Sequence, residues 1–345
     1  MTKLAAMTET AITRRPSSRV TIRDVARAAG VSVATVSKVI NGRDGIADAT
    51  SARVLGVVAE LGYESSLIAT SMRRRRTNVI GVLVAEFEPF ALQLLRGVSS
   101  ALQGTDYDIL AYAGSVSAGD HSGWERRSLS RLGGTLIDGA IIVTPTVALP
   151  ETSVATVAID PHAGPAGPAT VDTDNLGGAR AATEHLIAQG HRRIAHIRGR
   201  VDLESARQRE QGYRQALEAA GLPFDPALVV DGAYRAATST PAATALLELP
   251  EPPTAVFAAN DLSAIEAIRV ARTHGLRVPD DLSVVGFDDI PEAVSADLTT
   301  VRQPLHEMGA AAVRILLEML GGSGPEHIRM PAEIVVRGST APPRG

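Results

Sequence analysis

The 345-residue chain contains no cysteine, which excludes disulfides, thiolate metal ligands and thiol nucleophiles. It has no run of about 18 apolar residues, so no membrane-spanning helix and no membrane partner are expected. Residues 1–19 lack the apolar core of a signal peptide, and a cytoplasmic location is the expectation. Catalytic signatures are missing too. No Gly-x-Ser-x-Gly elbow accompanies a Ser-His-Asp order, and neither GxGxxG nor a Walker sequence surrounds Gly177-Gly178. His185, His191 and His196 are spaced six and five apart, not at the i, i+4 spacing of paired metal ligands on a helix. The single tryptophan, Trp124, sits in an ordinary helix-like segment. The expectation is a protein that is not an enzyme and needs no metal or cofactor.

What is present is length and an uneven charge. A chain of 345 residues with 45% apolar composition suits two or three domains rather than one. The net charge of -4 hides an asymmetry. Residues 1–76 hold 13 Lys+Arg against 6 Asp+Glu, or +7, and the remainder holds 21 against 32, or -11. A basic head on an acidic body implies that only the head meets a polyanion.

Within that head the stretch 21–42 reads TIRDVARAAGVSVATVSKVING. Ile22, Val25, Ala26 and Ala29 fall at i, i+3, i+4 and i+7, one apolar stripe on a helix that Thr21 can cap and Gly30 can end. Ser32 then caps a second helix with Val36, Val39 and Ile40 inward and Ala34, Thr35, Ser37 and Lys38 outward, closed by Asn41-Gly42. A third helix is expected over 48–61, with Val54, Val58 and Leu61 on its inner face and a weak cap at Ala47. Two short helices around a Gly-containing turn, the second with small polar side chains outside, form a helix-turn-helix suited to a major groove. This stretch resembles, almost position for position, the DNA-binding headpiece of the LacI/GalR family of bacterial transcription regulators.

The segment 65–72 (SSLIATSM) is too short to be a stable helix alone, and Arg73-Arg74-Arg75-Arg76 follows it. Four adjacent arginines repel one another, and duplex phosphates relieve that repulsion. In the family the matching segment is the hinge helix, which pairs with its twin in the dimer and pushes a leucine into the minor groove. Met72 stands at that position, an apolar wedge of softer kind, and Ser65-Ser66 replaces the family's Pro-Asn.

From residue 78 apolar strands alternate with helices. Strands are expected near 79–85, 109–112, 140–143, 154–159, 194–197, 229–230, 255–258 and 282–286. Helices are expected near 92–103, 177–189, 205–220, 242–249, 262–274 and 305–320. Strands apolar throughout are buried on both faces, as in parallel sheets, and so many units suit two doubly wound lobes with a cleft between them. The family resemblance implies the same: an N-terminal all-α helix-turn-helix headpiece followed by an α/β effector domain of two doubly wound lobes, periplasmic-binding-protein-like. The expected organisation is a disordered arm over 1–19, the headpiece over 20–64, hinge helix and basic linker over 65–76, and the effector and dimerisation domain over 77–340. By the same resemblance lobe one takes about 77–172 and 302–330, and lobe two about 174–300 and 333–340, including a C-terminal strand over 333–337.

Ligands in such sheets lie beyond the carboxyl ends of strands, where Asn260-Asp261 and Asp288-Asp289 follow two of the expected strands. By resemblance Asn260 and Asp288 fall on common effector-contact positions, and Arg209 rather than Arg207 is the arginine that reaches the effector and pairs with Asp288 in the empty cleft. Tyr234 matches an aromatic position that stacks on a ring. Glu86-Phe87-Glu88-Pro89-Phe90 replaces an Asn-Pro-Phe-Phe run, with Phe90 the expected contact. For DNA the candidates are Val33, Ala34, Thr35, Ser37 and Lys38 on the second helix, Thr21 and Ser32 at phosphates, and Met72 and Arg73 in the hinge. The reading is therefore a transcription regulator, a repressor that binds a palindromic double-stranded operator as a homodimer and is controlled by a sugar or sugar phosphate in the cleft. A solute-binding protein of the same two-lobed fold is the competing reading; it has no use for 21–76.

Overall fold

The computed structural model describes residues 20–40, 43–63, 76–114, 123–147, 149, 154–162 and 169–344. The chain divides into two compact units, Met1–Arg74 and Arg75–Gly345.

The first unit holds α1 (Ile22–Ala29), α2 (Val33–Ile40) and α3 (Asp48–Leu61). The Asp24 carboxylate closes a capping box on Thr21, taking both its N–H at 3.0 Å and its hydroxyl at 2.6 Å. Gly30 ends α1 at φ 65°, a left-handed conformation that favours glycine. Val25, Ala26, Ala29, Val36 and Val54 form the core, with Ile22, Val39, Ile40, Val57, Val58 and Tyr63 packed around it. Leu61 departs from expectation and is exposed. The stripe on α3 runs Val54, Val57, Val58, and the Gly62 turn, at φ 60°, is followed by Tyr63, which packs against the core. Ala47 supplies no side-chain cap to α3. The expected arm over 1–19, the Asn41-Gly42 stop and the hinge segment with Met72 and Arg73 lie outside the described residues.

The second unit is built on two six-stranded sheets. The first has the order β11-β5-β4-β3-β1-β2, with β1 (Val79–Val84), β2 (Asp108–Ala113), β3 (Gly139–Val143), β4 (Ala155–Ile159), β5 (Ala169–Thr173) and β11 (His327–Met330) all parallel. The second has the order β12-β10-β9-β8-β6-β7, with β6 (Ile194–Arg198), β7 (Val229–Asp231), β8 (Ala255–Ala258), β9 (Ser283–Asp288) and β10 (Thr299–Arg302) parallel and β12 (Glu333–Val335) antiparallel at the edge. Helices lie between: α4 (Pro89–Ala101), α5 (Trp124–Leu132), α6 (Asn175–Ala188), α7 (Glu204–Ala219), α8 (Ala236–Leu247), α9 (Asp261–Thr273), α10 (Pro291–Ser295) and α11 (Leu305–Leu320). Every residue of β1, β3, β8 and β9 is buried, as parallel strands covered on both faces require. The chain crosses between sheets three times, after β5, after β10 and after β11.

Strands β5, β10 and β11 were not among the expected strands. In β10 the polar Thr299 and Thr300 are fully buried, because the Thr300 hydroxyl donates to Asp261 and that of Thr299 to the Arg337 carbonyl at 3.1 Å. Such a strand is polar to the eye and dry in the fold. Helix α8 begins at Ala236 rather than 242, with Pro241 inside it; the proline costs one backbone hydrogen bond but does not stop a helix whose Ala242, Ala243 and Leu246 are buried.

Candidate nucleic-acid face and inter-lobe cleft

In the first unit α2 presents Val33, Ala34 and Lys38 to solvent, with Thr35 and Ser37 half-buried beside them. Ser32 caps the helix by accepting the Thr35 N–H at 3.0 Å. Lys38 is exposed and makes no ion pair among the described residues. The Thr21 hydroxyl proton is engaged by Asp24, so a phosphate contact there requires that bond to open.

In the second unit a cavity of about 140 Å³ lies where the carboxyl ends of both sheets meet. That is roughly ten waters by the same measure, the scale of a small molecule. Phe90, Arg209, Tyr234, Asn260 and Asp288 all line it. Arg209, on α7, is the most constrained. Its Nε donates to Asn175 Oδ1 at 2.8 Å, its Nη1 to the Ala259 carbonyl, and it lies 3.5 Å from Asp288 Oδ1. Its guanidinium stacks 3.7 Å over the Phe287 ring. Arg207, two residues earlier on α7, points away and pairs with Glu204.

Asp288 accepts from Gln303 Nε2 at 2.7 Å. Burial pushes its carboxyl up to about 7 against the pull of Arg209. Asn260 caps α9 by accepting the Ser263 N–H at 3.1 Å and donates to the Tyr234 carbonyl at 3.2 Å; capping and cavity lining coexist. Their sequence neighbours do other work. Asp261 is buried, holds Thr300 and the Ile290 N–H, and burial raises its pKa well above the usual carboxylate range. Asp289 bridges Arg302 and Arg337.

The cavity also gathers Glu88, Thr144, Asp160, His162 and Ser205. Ser205 Oγ is 3.1 Å from the Tyr234 hydroxyl and 3.4 Å from His162 Nδ1. Burial lowers the pKa of His162 and, with the charge of Glu86, raises that of Glu88. At the mouth Glu86 and Arg235, from opposite lobes, pair at 2.6 Å. Asp160, the residue after β4, stands at the carboxyl end of a strand as Asn260 does, and carries the same signal in the sequence. Thr144, Asp160, Ala233, Tyr234 and Asp288 all have positive φ, a strained conformation concentrated at this site.

The histidines are dispersed. His185 meets Thr340 and His191 meets Thr254. His196 is buried between Tyr213 and Phe257, its pKa lowered to about 4 by burial. No group of three or more metal-ligating side chains occurs among the described residues.

Residues 21–66 match the family described as bacterial regulatory proteins, lacI family, and residues 183–340 match the periplasmic binding protein-like domain. The chain is 36% identical to the HTH-type transcriptional regulator CelR of Thermobifida fusca, over 93% of this chain and 96% of that protein. The chain belongs to the LacI family of bacterial regulatory proteins. It is 35% identical to the HTH-type transcriptional repressor PurR of Aliivibrio fischeri strain MJ11, over 92% of this chain and 98% of the relative. Among solved structures it is similar to a transcriptional regulator CelR–cellobiose complex (34% identity, TM-score 0.68, 93% of this chain and 100% of that one). It is also similar to the lac repressor dimer bound to operator and the anti-inducer ONPF (27% identity, TM-score 0.77, 93% and 99%). As a member of this family it is a DNA-binding transcription regulator with a helix-turn-helix head and a two-lobed, periplasmic-binding-protein-like body.

Proposed function

We propose that the protein is a cytoplasmic repressor that binds a palindromic operator as a homodimer and changes its grip on DNA when a small sugar fills the cleft. The observation that carries the ligand half is the convergence of Arg209, Asn260 and Asp288 from lobe two with Phe90 and Asp160 from lobe one on one cavity. Sugar hydroxyls would donate to Asp288 and accept from Arg209, and the apolar face of a ring would lie against Phe90 or Tyr234. A relative solved with cellobiose supports that ligand class.

On the DNA side Val33, Ala34, Thr35, Ser37 and Lys38 would face base edges, with small side chains against thymine methyls and the cation at a guanine edge or phosphate. Thr21, Ser32, Met72 and Arg73 would complete the contact set. A ligand that binds one lobe arrangement better than the other shifts the population toward it, and a coupling of roughly 1–3 kcal/mol gives about 5–150-fold change in operator affinity.

The test is a gel-shift titration of the full chain on palindromic and scrambled duplexes with random-sequence competitor, repeated with a panel of sugars. A preference for one palindrome, altered by one sugar, is expected. Equal binding to all duplexes overturns the regulator reading, and indifference to every sugar overturns the effector class.

A further inference from the structure

The charges around the cavity say more about the ligand than that it is polar. Three guanidiniums line it, and each is already engaged by the protein's own carboxylate. Arg200 is held by Asp202 through two bonds, of 3.1 and 2.5 Å. Arg235 is held by Glu86 at 2.6 Å, and Arg209 by Asn175, the Ala259 carbonyl and Asp288. The carboxylates are less satisfied. Among the described residues the Asp160 side chain accepts one bond, from Asn175 Nδ2 at 3.2 Å. The Glu88 side chain has no hydrogen-bond partner among the described residues. An ionised carboxylate can accept about four hydrogen bonds, so among the described residues the cavity has spare acceptors and no spare cation.

Resting on the sugar reading above, we infer that the cleft takes an uncharged polyhydroxylated ligand and rejects its phosphate ester, with Glu88 as the specificity-determining residue. A neutral sugar brings hydroxyl donors to the unfilled acceptors of Glu88 and Asp160. A phosphate brings two negative charges and no donor at neutral pH. Arg235 meets it only as half of a pair whose charge Glu86 already cancels, so the phosphate finds no net positive charge there. Glu88 occupies the decisive place because it stands at the N-terminus of α4, just before Pro89. That helix end favours anions; the Glu88 side chain makes no cap bond to it, but its carboxylate stands beside it and opposes a second anion there.

The experiment is a thermal-shift titration of the full-length protein with matched pairs: glucose and glucose 6-phosphate, ribose and ribose 5-phosphate, cellobiose and cellobiose phosphate. Wild type and the variants Glu88→Gln and Glu88→Asp are compared. In wild type one neutral sugar raises the melting temperature, and its ester binds at least about tenfold more weakly. Glu88→Gln, which keeps the shape and removes the charge, narrows that ratio severalfold, and Glu88→Asp restores it. A merely structural role would move both members of a pair together. An ester that binds as tightly as its parent in wild type overturns the inference, and a ratio unchanged in Glu88→Gln overturns the assignment to that residue. Silence from every neutral sugar and every ester overturns the underlying sugar reading and this inference with it.

Discussion

Asp288 ties folding stability to protonation. Its carboxyl is buried, faces Arg209 at 3.5 Å and is pushed up to about 7, so the folded protein holds a proton that the unfolded chain releases near 4. The resulting stabilisation is full below about pH 4, declines as pH rises and is gone above about 7. His196 acts in the opposite sense: its pKa of about 4 in the fold, against 6.5 in the free side chain, costs stability as pH falls through that window. A comparison with Asp288→Asn separates the two. The melting temperature of wild type should fall relative to that of Asp288→Asn between pH 5 and 8, and parallel curves would remove the assignment. The same variant should lose its response to the effector by about tenfold or more in affinity while still binding operator, since it exchanges an acceptor for an amide; gel shifts with and without the sugar measure this.

The Ser32 hydroxyl satisfies the Thr35 N–H at the start of α2. Ser32→Ala should lower the stability of the first unit by about 1 kcal/mol, seen as an earlier melting transition by circular dichroism. In the second unit α4 and α11 touch through glycine: a Cβ at Gly97 would collide with the backbone carbonyl of His306. Backbone cannot step aside as a side chain can, so Gly97→Ala should destabilise by about 1–3 kcal/mol and disturb the helix that carries Phe90 into the cavity. Gly56 in α3 meets nothing within 4 Å, and Gly56→Ala should instead stabilise by about 0.5–1 kcal/mol. Denaturant titration of the two variants should give shifts of opposite sign.

For the whole molecule the distribution of charge decides how DNA binding responds to salt. Of the +7 in residues 1–76, the described headpiece over 20–63 holds five basic against four acidic residues, only +1. The arm over 1–19 and the segment 64–76 hold +3 each, four basic against one acidic in both. The three helices are thus nearly neutral, and most of the positive charge of residues 1–76 lies in the chain on either side of them. Replacing Arg73, Arg74, Arg75 and Arg76 with alanine should lower the slope of log affinity against log salt by roughly three to four per chain. An unchanged slope, measured by filter binding over a range of salt, would mean that this run never reaches phosphate.

The sequence by itself determined whatever depends on near neighbours along the chain: the Thr21 and Ser32 caps, the Gly30 stop, the buried parallel strands and the two-lobed architecture they imply. These rest on helix and strand periods and on caps three residues long, which a linear reading contains. Only the tertiary structure decided which polar groups share a cavity. It separated Asn260 from Asp261 and Asp288 from Asp289, adjacent residues of which one lines the cleft and the other is bonded beneath it. It added Asp160, His162 and Ser205 to the cavity. It also made a strand of Thr299 and Thr300, whose hydroxyls find partners 39 or so residues away in sequence. The physical reason is that a polar side chain is stable in the interior only beside the group that satisfies it, and that partner is chosen by the packing of the two sheets, not by position in the chain.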